Sequence, residues 1–441
     1  MALPLRALAI AAALALGGCA SVAPGASDGA VAQLVRQRGG QASPSVAPAA
    51  REQHIAALLA KPLGVDDAVG IALINNRNLQ ANYAELGIVE ADLAQAGRLP
   101  NPVFSFSRLH GQDGIEIERK LMLPVIGLLL MPVTVPLERR RVELAQLRAA
   151  GDVLRVADDT RRAWYGAVAA QQSALYMEQV KDAAEASFEL ARRMAQAGNW
   201  SKLQQAREQA FLGEAVTQLA RARHARSAER EKLTRLLGLA ASDTLQLPER
   251  LPELPATPRE IGDAEAQALA NRLDLLMAQK ELASLSASLG LTRATRFINL
   301  LDVGYRRDSG AHGYEIELQI PLFDWGGARV ARAEAIYMQA VHRAAGAALD
   351  ARSQVRESYS AYRSAYDIAR HYRDEIVPLK KRISDEQLLR YNGMLISVFE
   401  LLADAREQAT SVNAAIEAQR DYWIAEAALQ AAQTGSGAPL H

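Results

Sequence analysis

The feature that most constrains this chain is an internal repeat at a spacing of 196 residues. Residues 72–79 read ALINNRNL and return as residues 268–275, which read ALANRLDL. Glu85 and Glu281 are related by the same spacing. In both halves the shared segment precedes an alternating segment, a turn, a second alternating segment and a long helical stretch broken once at a glycine. A duplicated helix–hairpin–helix unit of this size predicts a scaffold or a conduit rather than a catalytic site.

Hydrophobic periodicity predicts the same order of elements in each half. The first half is predicted to contain a helix over residues 65–97, a β-hairpin over 103–118 with its turn at 110–114, and helices over 137–197 and 201–237. The second half is predicted to contain a helix over 262–295, a hairpin over 297–320 with its turn at 308–313, and helices over 329–391 and 396–433. A helix of about 60 residues would be about 90 Å long, so such helices must lie side by side in a bundle or tube.

The organisation of the chain follows from these elements. The predicted segments are a signal peptide at 1–18, a lipidated tether at 19–61, a first repeat at 62–238, a linker at 239–258, a second repeat at 259–433 and a flexible tail at 434–441. The linker holds four prolines. The tether is small, polar and weakly patterned, and is therefore predicted to be extended.

The N-terminus predicts export and a lipid anchor. Arg6 precedes an apolar run at residues 8–16, which is the layout of a secretory signal peptide. The run ends in Leu16-Gly-Gly-Cys19, which resembles the bacterial lipobox, and Cys19 is the only cysteine. We expect Cys19 to carry covalent lipid, the alternative being a buried or chance cysteine. Residue 20 is Ala rather than Asp, which favours the outer membrane.

Composition and motifs argue against an enzyme. The chain has 50 Lys plus Arg and 50 Asp plus Glu, so no polyelectrolyte partner such as nucleic acid is indicated. No histidine pair or His/Cys/Asp cluster has metal-ligand spacing, and neither a Gly-x-Ser-x-Gly motif nor a phosphate-binding loop occurs. Acidic pairs such as Asp158-Asp159 and Asp66-Asp67 are interpreted as solvated helix faces or as charges at helix N-termini. The sequence predicts no catalytic residue, no metal site and no cofactor beyond the lipid on Cys19.

The predicted hairpins are short for membrane strands. A spanning strand needs about 9–11 residues, and the first hairpin allows fewer, with Arg119 interrupting its apolar face. An arginine facing lipid at the midplane costs about 2–4 kcal/mol. The apolar run at 121–136 contains three prolines, which forbid a spanning helix. It either lies at the membrane surface or packs against the hairpin. The strands of several copies would have to be pooled, because an open sheet edge is not tolerated in lipid.

Four motifs carry a resemblance to a known family. They are residues 72–79, residues 99–102 (LPNP), residues 320–329 (IPLFDWGGAR), and the segment from 391–393 (YNG) through 401–406. In their order, spacing and duplication they resemble the TolC family of outer-membrane efflux proteins across residues 63–432. The resemblance implies a mainly α fold with β-hairpins, in which duplicated long helical hairpins form a trimeric tunnel and each protomer contributes four strands to one twelve-stranded barrel. This chain departs from that pattern, because its short, charge-interrupted hairpins predict a barrel that is short or incomplete. It also implies docking on a periplasmic adaptor and an inner-membrane pump.

The resemblance also nominates residues at the ends of the helical hairpins. Glu400 and Asp404 lie one helical turn apart and are candidates for the aperture, the alternative being an exposed face that pairs with Arg406 or a neighbouring helix. The turns themselves are candidate adaptor contacts, the alternative being packing within the hairpin. Those residues are Gly198, Asn199, Trp200, Gly393, Met394 and Leu395.

The predicted function is a passive exit duct in the outer membrane, serving a tripartite efflux or type I secretion system. The body is expected in the periplasm, held to the outer membrane by lipid. The alternative is a lipid-anchored periplasmic protein with this fold, structural or adaptor-like, that lacks a true spanning barrel.

Overall fold

The computed structural model describes residues 25, 27–42, 50–111, 114–241, 245–260, 262, 264–296, 300–308, 311–320 and 322–436. The predicted signal peptide, Cys19 and the end of the predicted tail lie outside the described residues. The first half contains α1 Asp28–Arg36, α2 Arg51–Leu59, α3 Val65–Asn75, α4 Arg77–Ala96, β1 Val103–Gly111, β2 Gly114–Pro124, α5 Val125–Gln196 and α6 Lys202–Leu237. The second half contains α7 Ala264–Asn271, α8 Leu273–Thr295, β3 Leu301–Arg307, β4 His312–Leu318, α9 Gly327–His371, a π-helical segment Tyr372–Ile376, α10 Val377–Asn392 and α11 Val398–Thr434.

The chain divides into two compact units. The strand unit is Met1–Leu34, Ala81–Ala150 and Leu273–Ala348, and the helical unit is Val35–Gln80, Gly151–Arg272 and Leu349–His441. The strand unit holds one antiparallel sheet in the order β1-β2-β3-β4. Each half of the sequence therefore contributes one hairpin to a common sheet, as a duplicated chain predicts.

The core of the helical unit is apolar and aromatic. In one cluster Trp164 donates its indole N–H to the carbonyl of Leu63 at 2.9 Å. In a second cluster the ring of Tyr422 lies 5.6 Å from that of Tyr362 and 5.7 Å from that of Tyr366. The Tyr366 hydroxyl donates to the carbonyl of Ala256 at 2.8 Å, so the proline-rich linker is packed onto the helices by buried hydrogen bonds.

The first predicted helix of each half is in fact two helices. The breaks fall at Asn76 and Arg272, which are 196 residues apart. Asn76 is extended and its side-chain oxygen accepts from the Leu79 amide at 3.0 Å, so it caps the next helix. The helical periodicity continues through the break, which is why the sequence predicted one helix.

The two breaks make equivalent contacts. The Asn76 amide donates to the carbonyl of Leu236 at 2.9 Å, and the Arg272 guanidinium donates to the carbonyl of Ala432 at 2.7 Å. Leu236 and Ala432 are themselves 196 residues apart, in the last turns of α6 and α11. Carbonyls at helix ends lack partners within the helix, so both donors satisfy groups that would otherwise be left unpaired. The repeat is thus preserved in tertiary contacts as well as in sequence.

The prediction of an extended tether is wrong for residues 28–36 and 51–59. These form α1 and α2, and Val31 and Val35 are fully buried. The two valines lie four residues apart and therefore on one face of the helix. A helix this short is stable only when tertiary contacts support it, and the sequence alone does not reveal those contacts. The prediction of a flexible tail is also wrong for 434–436, because the Ser436 side chain is buried.

The second strand is longer than predicted. Residues 114–124 form β2, whereas the sequence predicted strand only over 115–118. The apolar run at 121–136 is divided between the end of β2 and the first turns of α5, which contains Pro132 and Pro136. None of the helices in the described part of the chain is long and apolar enough to cross a membrane.

Candidate functional site

The turn between α5 and α6, which we call the first tip, has a well-defined helix stop and start. Gly198 adopts a left-handed φ of 78° and donates to the carbonyl of Ala195, while the Asn199 amide donates to that of Met194. This is the Schellman motif, and its left-handed residue favours glycine. Ser201 then opens α6 with a reciprocal capping box to Gln204.

The turn between α10 and α11, which we call the second tip, repeats that geometry with a different residue at its centre. The left-handed position is Met394, with φ 57°, and not Gly393, whose φ is −80°. Met394 donates to the carbonyl of Tyr391, and Leu395 to that of Arg390, both at 2.9 Å. Met394 is the repeat equivalent of Gly198. A methionine therefore occupies the one position where the first tip uses glycine.

The predicted adaptor contacts differ in exposure. Met394 is 92% exposed and Leu395 is 77% exposed. Gly198, Asn199 and Gly393 are also exposed. Trp200 is half-buried, as is its repeat equivalent Ile396, and this partial burial favours the alternative of packing within the hairpin for Trp200. At each tip one side chain packs inward while the two residues before it face solvent.

Glu400 is in the first turn of α11. Its backbone amide donates to the Ser397 hydroxyl, and that hydroxyl lies 3.4 Å from a Glu400 carboxylate oxygen. Ser397 and Glu400 are the repeat equivalents of Ser201 and Gln204, which form the capping box of the first tip. A carboxylate here stabilises the helix N-terminus, where the helix dipole is positive. Glu400 is exposed, so its carboxylate is also available to solvent.

Asp404 is half-buried, and its Oδ2 is buried without a hydrogen-bond partner among the described residues. Its repeat equivalent is Glu208, which is only 1% exposed. Glu208 accepts from the Ser187 hydroxyl at 2.6 Å and from the Arg406 guanidinium at 2.5 Å. The Arg406 guanidinium also lies 4.2 Å above the ring of Phe211. Arg406 thus binds Glu208, which the sequence did not nominate, and within the described residues it forms no ion pair with Glu400 or Asp404.

Sequence reasoning missed Glu208 because a lone glutamate on a charge-rich helix has no distinguishing pattern. The repeat spacing would have found it, since Glu208 and Asp404 coincide when the two halves are superposed at 196 residues. Acidic residues therefore recur at one level below each tip, one of them paired and the other not.

Asp158 is buried within the long helix α5, and it lies neither on a solvated face nor at a helix N-terminus. Asp158 is 5% exposed and accepts from the Ser436 hydroxyl at 2.7 Å and from the Arg161 guanidinium at 3.1 Å. Burial raises the pKa of the Asp158 carboxyl, while Ser436 and Arg161 oppose that rise. Its neighbour Asp159 is exposed, as expected. No cluster of three or more potential metal ligands occurs in the part of the chain that the structure describes.

The sheet is amphipathic. Strand residues alternate between two faces, and the pairing register brings most apolar side chains together on one face, with several basic side chains among them, and most polar ones together on the other. The apolar face carries Phe104, Phe106, Ile115, Ile117, Leu121, Leu123, Leu301, Val303, Tyr305, Tyr314, Ile316 and Leu318. The polar face carries Ser105, Ser107, Glu116, Glu118, Lys120, Asp302, Arg306, Glu315 and Glu317.

The apolar face is open to solvent. Tyr314 is 89% exposed, Ile316 is 70% exposed and Phe104 is 65% exposed. The apolar character continues past β4 into Ile320 and Phe323, the latter 98% exposed. A contiguous apolar surface of this kind marks a site of contact with protein or membrane.

No protein-family model matches the chain. The chain is 25% identical over 279 residues to the cobalt-zinc-cadmium resistance protein CzcC of Cupriavidus metallidurans, a match that covers 60% of this chain and 64% of CzcC. The matched region therefore spans less than two thirds of that relative.

Solved structures share the fold over most of the chain. A membrane protein from Pseudomonas aeruginosa is similar with a TM-score of 0.72 and 18% identity, covering 84% of this chain and 93% of that protein. The CmeC outer-membrane channel of Campylobacter jejuni is similar with a TM-score of 0.71 and 16% identity, covering 85% of this chain and 86% of CmeC. The chain thus has the fold of TolC-like outer-membrane channels, and the predicted fold class, helical with a small antiparallel sheet, is confirmed.

Proposed function

We propose that this chain is the protomer of a passive exit duct in the outer membrane, serving an efflux or type I secretion system. The observation that carries the proposal is the sheet with an exposed apolar face, built from both halves of a chain whose other elements are duplicated long helical hairpins. A sheet with an exposed apolar face is suited to contact with lipid, and long helical hairpins packed side by side are suited to forming the wall of a tunnel. The fold shared with outer-membrane channels agrees with both.

Assembly of several copies follows from the sheet edges. In the order β1-β2-β3-β4, the outer sides of β1 and β4 have no strand partner among the described residues. Unpaired strand edges are not stable in lipid, where no water can satisfy their backbone groups. Neighbouring copies would pair β4 of one with β1 of the next. We take the assembly to be a homotrimer, as the resemblance implies.

The two tips are the proposed contacts for a periplasmic adaptor, which would link the duct to an inner-membrane pump. Met394 and Leu395 present apolar side chains to solvent at the end of a hairpin. Exposed apolar side chains at a turn suit an interface. Asn199 is the repeat equivalent of Leu395, so the first tip presents a polar side chain where the second presents an apolar one.

Glu400 and Asp404 are the proposed aperture residues. The buried, unpartnered oxygen of Asp404 is consistent with a group that completes its contacts in the assembled duct. Three copies would bring six carboxylates together, and a ring of acidic groups attracts cations. CzcC is named for resistance to cobalt, zinc and cadmium, so these divalent ions are the first cargo to test.

Attachment through lipid on Cys19 completes the proposal, with the body of the protein in the periplasm. Cys19→Ala is expected to leave the precursor uncleaved by the lipoprotein signal peptidase and mislocalised. Normal membrane fractionation of this variant would show that lipid is not the main anchor and that the sheet holds the protein without it.

The deciding experiment reconstitutes purified protein in planar lipid bilayers and records conductance. The proposal expects discrete channels, with divalent-ion block that is lost in the Glu400→Ala/Asp404→Ala variant. The exposed pair Asp182→Ala/Glu185→Ala, on the same unit, serves as a control for removal of charge. Absence of channels from protein that remains membrane-associated through its lipid would favour the alternative, a lipid-anchored protein without a conduit.

A further inference from the structure

Basic residues form a row across the sheet on its apolar face. Phe106 pairs with Arg119, Arg119 pairs with Arg307, and Arg307 pairs with His312. Phe106 and the three basic residues therefore lie at one level, one on each of the four strands. Arg108 lies two residues beyond Phe106 on β1 and therefore on the same face. All four basic side chains are exposed. We call Arg108, Arg119, Arg307 and His312 the basic row.

The row next to it is aromatic and apolar. Two residues closer to the strand ends that join the helices, the same face carries Phe104, Leu121, Tyr305 and Tyr314, again paired strand by strand. The Tyr305 and Tyr314 rings are in edge contact at 6.1 Å. Beyond them lie only aliphatic residues, in the rows of Leu123 and Leu301. From the basic row towards the helices the face thus reads basic, aromatic, aliphatic, which is the order met on going from headgroups into a bilayer. On β2, Ile115 and Ile117 lie on the turn side of the row.

Among the described strand residues, the face that carries the basic row has no acidic residue. The acids of the sheet are on the polar face, and two of them, Glu118 and Glu315, pair with the cations of that face. Lys120 lies 2.8 Å from Glu315, and Arg306 lies 3.0 Å from Glu118. Within the residues that the structure describes, the basic row takes part in no ion pair. Within the described sheet, the cations Lys120 and Arg306 of the polar face are therefore paired with acids, whereas the basic row is not.

Arg119 and Arg307 face each other directly across β2 and β3. Like charges at directly opposed positions destabilise a sheet. An anion placed between two guanidinium groups turns that repulsion into charge-assisted hydrogen bonds, and arginine matches the geometry of phosphate oxygens. The pair is therefore incomplete in the protein alone and is suited to a phosphate group.

We propose that Arg119 and Arg307, flanked by Arg108 and His312, bind the phosphate of a lipid headgroup in the outer leaflet of the membrane. This rests on the proposed function, because it takes the apolar face as the lipid-facing one. The strand ends that carry the basic row are those joined by turns, while the opposite ends continue into helices. With the helices in the periplasm, the row faces the outer leaflet. The adjoining aromatic and aliphatic rows would contact the acyl chains of the same lipid, which free phosphate lacks.

The test uses full-length protein in neutral detergent, titrated with bis-phosphorylated lipid A and, separately, with dephosphorylated lipid A. Native mass spectrometry counts the bound lipids. The proposal expects at least about tenfold tighter binding of the phosphorylated form, equivalent to about 1.4 kcal/mol. It expects this preference to be lost in Arg119→Gln/Arg307→Gln. That variant removes a repulsion, so it is expected to fold, and Arg307→Gln alone should give a partial loss.

The chain supplies a matched control. Lys120→Gln/Arg306→Gln removes the same charge from the neighbouring positions of the same two strands, but on the polar face. It should keep the preference for phosphorylated lipid. Equal loss in both double variants would mean that net charge alone governs binding and would overturn the proposal. So would a wild-type protein that binds both lipids equally, or an Arg119→Gln/Arg307→Gln variant that binds like wild type.

Failure of the proposed function would be distinguishable. Insertion into phosphatidylcholine vesicles tests whether the apolar face enters a bilayer, and it needs no phosphomonoester. Protein that fails to insert but binds phosphorylated lipid A through Arg119 and Arg307 would contradict the duct and leave the phosphate site standing. Protein that inserts and conducts but binds both forms of lipid A equally would support the duct and overturn the phosphate site.

Discussion

At the scale of single residues, the repeat explains which side chains are structural and which are free for other uses. Gly198 and Met394 occupy the same left-handed position in the two tips. Glu208 and Asp404 occupy the same position one level below, where Glu208 is paired with Arg406 and Asp404 has an unpartnered oxygen. In the first repeat, glycine suits the left-handed angle and the buried acid is paired. In the second repeat, an exposed methionine adopts that angle and the acid has an unpartnered oxygen.

Met394→Gly is expected to stabilise the protein by about 1 kcal/mol, because a non-glycine residue in the left-handed region costs about 1–2 kcal/mol. Gly198→Ala, at the equivalent turn, should destabilise it by a similar amount. Urea unfolding of both variants checks the pair. The same Met394→Gly variant should weaken adaptor binding, since it removes an exposed apolar side chain. If it unfolds more readily than the parent protein, the methionine is stabilising the tip in a way the backbone angle does not reveal.

The buried pair Glu208–Arg406 should respond asymmetrically to substitution. Arg406→Ala leaves the Glu208 carboxylate buried without its cation and should cost about 3 kcal/mol. Glu208→Ala leaves Arg406, which is 31% exposed, free to reach water and should cost less. Arg223→Ala breaks an exposed pair with Glu178 and should cost about 1 kcal/mol or less. Equal losses for all three in chemical denaturation would contradict the assignment of Glu208 as a buried charge.

At the scale of elements, the long helices carry buried acids that make stability depend on pH. Burial raises the pKa of Asp158 on α5 and of Glu426 on α11 above their ordinary values of 3.8 and 4.5. The folded protein therefore binds protons more readily than the unfolded chain at these sites. These two groups make the free energy of unfolding fall as pH rises from the ordinary pKa of each group through its raised value in the folded protein. Above that value, the free energy of unfolding stays at the lower level.

Asp158→Asn is expected to raise stability at neutral pH relative to the parent protein, with the difference shrinking as pH falls towards 4. The amide oxygen can still accept from Ser436, and no charge is buried. Asp159→Asn, at the exposed neighbouring position, is the control and should leave the profile unchanged. Thermal melting across pH 4 to 8 checks this. A variant that is destabilised at neutral pH would mean that the Arg161 ion pair outweighs the burial of charge.

Sequence alone predicted the type and order of the main helices and strands, because long periodic segments and Gly-centred turns carry strong local signals. It missed the breaks at Asn76 and Arg272, since the helical periodicity runs through them and only contacts to α6 and α11 show their role. It ended β2 too early because Arg119 and Lys120 interrupt the apolar alternation, whereas pairing with β3 extends the strand to Pro124. The helix breaks at the two tips were predicted from their glycines, whereas the role of the tip residues as adaptor contacts came from the resemblance and stays a prediction. The partial burial of Trp200 and the Glu208–Arg406 pair depend on packing between segments and could not be read from the sequence.

At the scale of the whole molecule, we expect several copies of this chain to assemble into one conduit through the sheet edges and the duplicated hairpins. In the described part of the protomer, two strand edges lack a partner strand and the apolar face of the sheet is exposed. A ring of copies would pair the edges, while lipid would cover the face. A lipid on Cys19 would hold the assembly at the membrane whether or not the sheet spans it.

Electron microscopy of the purified protein in lipid nanodiscs would show this assembly. We expect particles with threefold symmetry, a closed ring of strands in the lipid disc and a hollow helical extension to one side of it. Monomeric particles, or trimers whose strands lie outside the lipid disc, would contradict the account.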